Sequence, residues 1–435
     1  MPRKALNAGG LLLGLGTLAI LAACSGGGHD LPPAPGEELR SDLARITTPG
    51  AVPADVEAQV AGNLAFALDV YQGLADGAGG GNLFFSPFSM TQALAMTWAG
   101  AAGQTETDMA AALRFVLPQE RLHPVMNHLD LALASRGQGA QGQDGEGFRL
   151  RVVNSLWGQV GFAFQADFLD ALALHYGAGL RLLDFVADAA GAAEVINAWV
   201  EEATEGRIQD LIPPEALSEY TKLVLTNAIY FNAAWNQPFE EADTADGDFH
   251  LLDGTSARVP LMHQTFQFQG AEGPGYQAVA LPYDGEELDM VLVVPDAGTF
   301  ETFEATLDGE ELGAILGGLS EYTVELAMPR WTFATETFSI KALLSALGME
   351  VAFSPAADFS GMNPEHALMI HDVLHQAFVS VNEAGTEAAA ATAVIVGDTS
   401  APPFMALSLD RPFVYLIRDL PTGAILFLGR VTDPR

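Results

Sequence analysis

The chain is expected to fold as one α+β domain with large, mostly antiparallel sheets. Three observations carry that expectation. Helix-spaced apolar residues crowd the first half, strand-like runs crowd the second, and no Pro/Gly linker long enough to separate distinct cores interrupts residues 56–435. With 435 residues, 49% of them hydrophobic, the chain can bury a large core, and neither disorder nor a collagen-like fibre fits.

The elements follow in order. Val56–Leu74 repeats Val60, Leu64, Leu68 and Tyr71 at helical spacing, and a glycine-rich turn, Gly77–Gly81, closes it. A second helical stretch covers Thr91–Leu113. Residues 137–147, rich in Gly, Gln and Asp, read as an exposed loop. Strand-like runs lie at Arg149–Trp157, Leu223–Phe231, Met290–Val294, Thr323–Met328 and Ile425–Val431. No internal repeat is present.

Residues 1–23 have a short basic head, Arg3 and Lys4, and an apolar run from Leu11 to Ala23. The run is too short to span a bilayer as a helix but suits a secretory signal. It ends at Leu21-Ala22-Ala23-Cys24, which resembles the bacterial lipoprotein signal, in which that cysteine is lipidated. An ordinary signal peptide that contains a cysteine is the alternative. Cys24 is the sole cysteine, so no internal disulfide exists. From 24 to 55 the composition reads as a lipidated cysteine and flexible tether. The expected location is therefore the cell envelope, lipid-anchored and facing the periplasm or extracellular space, with membrane contact through the anchor only.

There are 55 acidic against 19 basic residues, a net charge of −36, and only three lysines. A field of that sign repels phosphate backbones and argues against nucleic acid as partner. Enzyme signatures are missing: no G-x-S-x-G elbow, Walker A loop or H-E-x-x-H helix occurs. Gly14-Leu-Gly16-Thr-Leu-Ala19 matches a dinucleotide fingerprint only formally, inside the signal. His371 and His375 stand four apart and could share a metal on a helix, but their surroundings read as strand, which favours structural histidines. No metal and no cofactor are expected.

One segment is conformationally ambivalent. Glu383–Thr399 runs from small residues into β-branched ones. Ala388–Ala391 favour helix intrinsically, so a short exposed helix is one reading. As a strand, the segment puts Thr386, Ala388, Ala390, Thr392, Val394 and Val396 on one face and Glu387, Ala389, Ala391, Ala393 and Ile395 on the other. Ambivalence of this kind is what a switching element requires.

Here a resemblance becomes specific. The run Glu383-Ala-Gly385-Thr386-Glu387-Ala388-Ala389-Ala390-Ala391-Thr392 resembles the reactive-loop hinge of inhibitory serpins. Asp410-Arg-Pro-Phe413, Ile417-Arg-Asp419 and Gly423–Val431 are similar to that family's C-terminal signature. Asn82–Ser89, Asn154-Ser-Leu-Trp157, Leu225–Phe231 and Trp235-x-x-Pro238-Phe239 are similar to its upstream motifs, in order across residues 56–435. The resemblance implies three β-sheets, eight or nine helices and an exposed reactive-centre loop. It implies a monomeric inhibitor that forms a covalent complex with a target serine protease and is not itself an enzyme. The protease cuts the loop and forms an acyl-enzyme, and the loop then enters the main sheet as a strand. Counting seventeen residues from Glu383 puts the reactive bond at Thr399–Ser400, and Pro402-Pro403 fits the same count. Cleavage after Val396 or Asp398 are the alternatives. Thr399 implies an elastase-like or subtilisin-like target. Ser86, Ser89, Asn227 and His375 match the family's shutter, under the strands that separate, and Trp235 matches the breach, where the loop enters. A non-inhibitory carrier or chaperone-like member is the alternative function; such members typically carry proline, charge or bulk in the hinge, which Gly385–Ala391 lacks.

Overall fold

The computed structural model describes residues 35–142, 145, 147–364, 368–386 and 402–435. Cys24, Glu387–Thr392, Thr399 and Ser400 therefore lie outside the described residues.

Seventeen strands and nine α-helices are present among the described residues. The first half holds β1 (Glu37–Leu39), α1 (Pro53–Gly77), β2 (Leu83–Phe85), α2 (Pro87–Trp98), α3 (Gly103–Ala112), α4 (Gln119–Ala134), β3 (Arg149–Gln159), α5 (Ala166–Tyr176), β4 (Leu180–Leu183) and α6 (Phe185–Ala203). The second holds β5 (Leu223–Ala234), β6 (Ala245–His250), β7 (Ser256–Gly273), β8 (Tyr276–Pro282), β9 (Leu288–Pro295), α7 (Phe300–Thr306), α8 (Gly309–Gly317), β10 (Ser320–Pro329), β11 (Trp331–Ala334) and β12 (Phe338–Ser339). They are followed by α9 (Lys341–Leu344), β13 (Leu374–Val381), β14 (Gly385–Thr386), β15 (Phe404–Ser408), β16 (Phe413–Asp419) and β17 (Ile425–Val431).

The strands form two hydrogen-bonded sheets. The first runs β1-β4-β3-β5-β13-β11, with β12 on β13 and β14 on β5. The second runs β15-β10-β7-β8-β9-β16-β17-β2, with β6 on β7. The eighteen-residue β7 joins what would otherwise be two sheets. Its first third pairs β6, its middle pairs β10, and its end pairs β8. The second and third sheets expected from sequence are thus continuous through one long strand.

Several local choices explain the layout. Ser86 caps α2, accepting from the Ser89 amide at 3.2 Å, and Pro87 follows at the first helical position, where its missing N–H costs nothing. All twelve residues of α2 are buried, so it is a core helix with no polar face. It supports the inner side of β3 and β5. On the other side α6 packs Ile196, Trp199 and Val200 against Val153, Trp157 and Ala228, with Trp157 and Trp199 edge-to-face at 5.5 Å. Covered on both faces, β5 is buried along nearly its whole length.

Two sequence expectations shift. The single helix expected over 91–113 is two, α2 and α3, broken at 99–102. There Gly100 lies so close to Met362 that a Cβ would fall 2.1 Å from its side chain, and the Ala102 amide turns to the Asp358 carbonyl at 2.9 Å. The tether expected to run flexibly to residue 55 is fastened over its second half: β1 pairs β4, and α1 already begins at Pro53.

Candidate functional site: a strand junction with Gly385 and Thr386 in its mouth

β5 and β13 run parallel in mid-sheet, and Leu374–Ala377 pair with Thr226–Ile229. This ladder covers only the lower portion of both strands. Higher up, the edge of β5 at Ala233 and Ala234 is taken by Thr386 and Gly385 of β14, running antiparallel. The chain leaves β13, turns at Asn382–Gly385, and starts back down the junction.

Four residues singled out from the sequence meet under the closed portion. Asn154, Asn227 and His375 are register neighbours on three adjacent strands, β3, β5 and β13. The Ser86 amide donates to His375 Nε2 at 3.2 Å, so that nitrogen carries no proton and Nδ1–H donates to Asn227 Oδ1 at 2.5 Å. Asn227 Nδ2 donates to Ser89 Oγ at 2.6 Å and to Asn154 Oδ1 at 2.8 Å, while Ser86 Oγ donates to the Leu426 carbonyl of β17 at 2.6 Å. Ser86, Ser89, Asn227 and His375 are all at most 1% exposed. Burial pushes the His375 imidazole down to about 3, so it stays neutral. A network satisfied this completely favours one arrangement of the strands above it. Asn154, quoted from sequence only as one residue of a strand motif, is a full member. Nothing but its register opposite Asn227 could have revealed that.

The mouth of the junction is equally specific. Trp235 stacks on Tyr283 at 4.7 Å between centroids, and its indole N–H donates to the Asn382 carbonyl at 3.0 Å. The Trp235 and Phe239 amides bind the carbonyls of Ala384 and Glu383, both at 2.8 Å. Glu383, 5% exposed, accepts from Arg330 Nε at 2.6 Å and from Thr244 Oγ1 at 2.5 Å. Thr386, 1% exposed, shares a hydrogen bond of 2.9 Å with the Tyr283 hydroxyl. Gly385 has φ +150°, and a Cβ there would stand 2.3 Å from the Ala233 carbonyl oxygen. Only glycine lets the turn lie this close to β5. Arg330, Thr244, Tyr283 and Asn382 were not picked out from sequence, because their partners lie far along the chain.

The serpin (serine protease inhibitor) family model matches residues 61–434. The chain belongs to the serpin family. Among its relatives, an uncharacterised serpin-like protein of Thermococcus kodakarensis is 39% identical over 376 residues, spanning 85% of this chain and 84% of that protein. The leukocyte elastase inhibitor of Sus scrofa is 36% identical over 385 residues, spanning 86% and 99%. Among solved structures, thyroxine-binding globulin in complex with thyroxine is 29% identical with a TM-score of 0.75, covering 86% of this chain and 99% of that one. Maspin, at 22% identity and a TM-score of 0.80, covers 88% and 100% and shares the fold. Members of this family bind target proteases and are inhibitors rather than catalysts.

The C-terminal serpin motifs are structural in this chain. Arg418 forks onto Asp289 at 2.9 and 3.0 Å, fixing β16 to β9. Asp419, fully buried, accepts from Arg136 at 2.6 Å and caps the tight β16–β17 turn through the Thr422 amide. His371 does not join His375; the Lys341 ammonium binds its carbonyl at 2.8 Å. No group of three metal-ligating side chains occurs among the described residues.

Proposed function

We propose that this serpin inhibits serine endopeptidases of the elastase-like or subtilisin-like kind by suicide-substrate trapping, with Thr399–Ser400 as the reactive bond. The observation that carries the reading is the hinge start, Gly385–Thr386, already paired to β5 at the mouth of a junction closed by only four residue pairs. After cleavage and acylation, the small residues Ala388–Thr392 continue downward between β5 and β13. Serpin loop insertion is itself a reference case of strand addition and of switching.

The energetics favour the step. Opening the lower junction costs a four-pair ladder and the bond between His375 and Asn227. An inserted strand of about a dozen residues gains a net bond each at roughly 0.5–1.5 kcal/mol, on the order of 10 kcal/mol in all. That rivals the total stability of many domains and suffices to distort a tethered protease. Ser86, Ser89, Asn227 and His375, joined by Asn154, act as the shutter of this junction, and Trp235, stacked on Tyr283, marks its breach. The relatives named leukocyte elastase inhibitor support the target class.

The inhibitor is further proposed to be a monomer lipidated at Cys24 and held on a cell-envelope membrane, guarding a surface rather than circulating. Lipid labelling of the wild type but not of Cys24→Ser checks the anchor. For inhibition, residual activity is titrated against inhibitor with an elastase and a subtilisin. Stoichiometric, irreversible loss is expected. Loop cleavage with full protease activity retained refutes inhibition and favours the carrier reading.

A further inference from the structure

The segment between the anchor and the first helix is not idle. β1 pairs antiparallel with β4, Glu37–Leu39 facing Leu180–Leu182 in register, and so becomes the outermost strand of the sheet that holds the junction. Beyond it the chain crosses α5, where Ser41 Oγ donates to Asp170 at 2.5 Å and the Ile46 amide to the Leu174 carbonyl at 2.9 Å. It ends on α4. There Arg45 donates to Asn127 at 2.9 Å and to Asp130 at 2.5 Å, and Asn127 donates back to the Ile46 carbonyl at 2.7 Å. The body is shaped for this path. A Cβ on Gly179 would lie 2.9–3.0 Å from atoms of Glu38, Leu39 and Arg40. Gly177, in the left-handed conformation that ends α5, would meet the Arg45 side chain at 2.8 Å.

The two ends of this segment rest on elements that insertion must move apart. β4, β3 and β5 lie on one side of the junction. α4 is fixed to the other side: Arg136, just past its end, donates to the buried Asp419 of β16 at 2.6 Å, and Tyr415 of β16 packs at 5.4 Å on Trp331 of β11, the strand paired with β13. A new strand between β5 and β13 displaces one side by about 4.8 Å, the width of a strand. Hydrogen bonds of 2.5–2.9 Å at both ends of a short segment do not survive such a shift. We infer that Glu37–Ile46 is a strap that holds the loop-accepting sheet shut and must detach, at one end, before the loop can enter. The inference rests on the insertion mechanism proposed above.

The test uses the full mature chain and variants at both sides of the contact: Glu38→Pro and Arg45→Ala on the strap, Gly179→Val on the body, with exposed Asp42→Ala as control. Intact protein is incubated at a sub-melting temperature, and its conversion to a heat-resistant, non-inhibiting form is timed. At least tenfold faster conversion is expected for the three variants and not for the control. Combining Glu38→Pro with Gly179→Val should add little, since both release one contact. A second measurement uses wild type alone: after the loop is nicked, amide exchange at Leu39 and Ile46 should rise. Unchanged conversion rates, or unchanged protection after nicking, overturn the strap. If nicking also brings no gain in heat resistance, insertion itself has failed; if it does bring that gain, only the strap has.

Discussion

Replacing Asn227 by alanine tests the polar cluster beneath the junction. The change removes the acceptor of His375 Nδ1–H and the donor to Ser89 Oγ, both within a site at most 1% exposed. The Ser89 hydroxyl still donates to Asn154 Oδ1 at 3.0 Å, so only the His375 N–H is left without a partner. For one buried group left unsatisfied, the intact protein should lose about 1–3 kcal/mol. With an unfolding entropy of about 2.1 cal/mol/K per residue over a body of about 380 residues, that is a fall in Tm of about 1–4 °C. Loop-cleaved protein should respond less. An inserted strand sets β5 and β13 about 9.6 Å apart, two strand spacings, so the bond between His375 and Asn227 is already gone. Calorimetry on intact and cleaved samples reads both numbers. A loss below about 1 °C in the intact form, or equal losses in the two forms, would refute the reasoning.

Four further outcomes follow from the same contacts. Arg330→Ala leaves the buried Glu383 carboxylate with Thr244 as its remaining side-chain donor, and because Arg330 is itself 43% exposed the cost should be about 1–3 kcal/mol, read as a lower urea midpoint with faster amide exchange at Gly385 and Thr386. Gly385→Ala should detach the hinge from β5, since its Cβ has no room beside the Ala233 carbonyl; unchanged exchange protection at Thr386 would contradict this. Thr386→Arg should turn the inhibitor into a substrate, because a guanidinium cannot enter a site 1% exposed beside Tyr283; undiminished inhibition would contradict insertion. Finally, burial holds His375 and His123 near about 3, against 6.5 for the free side chain. The unfolded chain thus binds more protons between these values, and stability is full above pH 6.5 and lost as pH falls toward 3, by about 1.4 kcal/mol per pH unit for each histidine. A urea midpoint unchanged between about pH 7 and pH 5 would exclude it.

Much of this architecture was legible in the sequence because its signals are local or fixed in spacing. The Ser86-Pro87 cap and the apolar run of β5 each declare their role within a short stretch of chain. The break between α2 and α3 was not legible, since Ala99–Ala102 continue a helical composition and only contact with Met362 and Asp358 interrupts it. The strap was missed for a related reason. Its flanks are rich in glycine and proline, and its order comes from Asn127, Asp130, Asp170 and Gly179, more than 80 residues away. The clasp on Glu383 is likewise assembled from Arg330 and Thr244, at separations of 53 and 139 residues. Tertiary partners of that range leave no periodicity to read.

In the proposed trap a protease is held covalently on the loop after Thr399. Intact-mass measurement of the product formed with an elastase-like protease tests this most directly. Trapping would yield a denaturation-resistant species with the mass of protease plus inhibitor through Thr399, and a released peptide, Ser400–Arg435. Free protease beside two inhibitor fragments, with no covalent species, would contradict it.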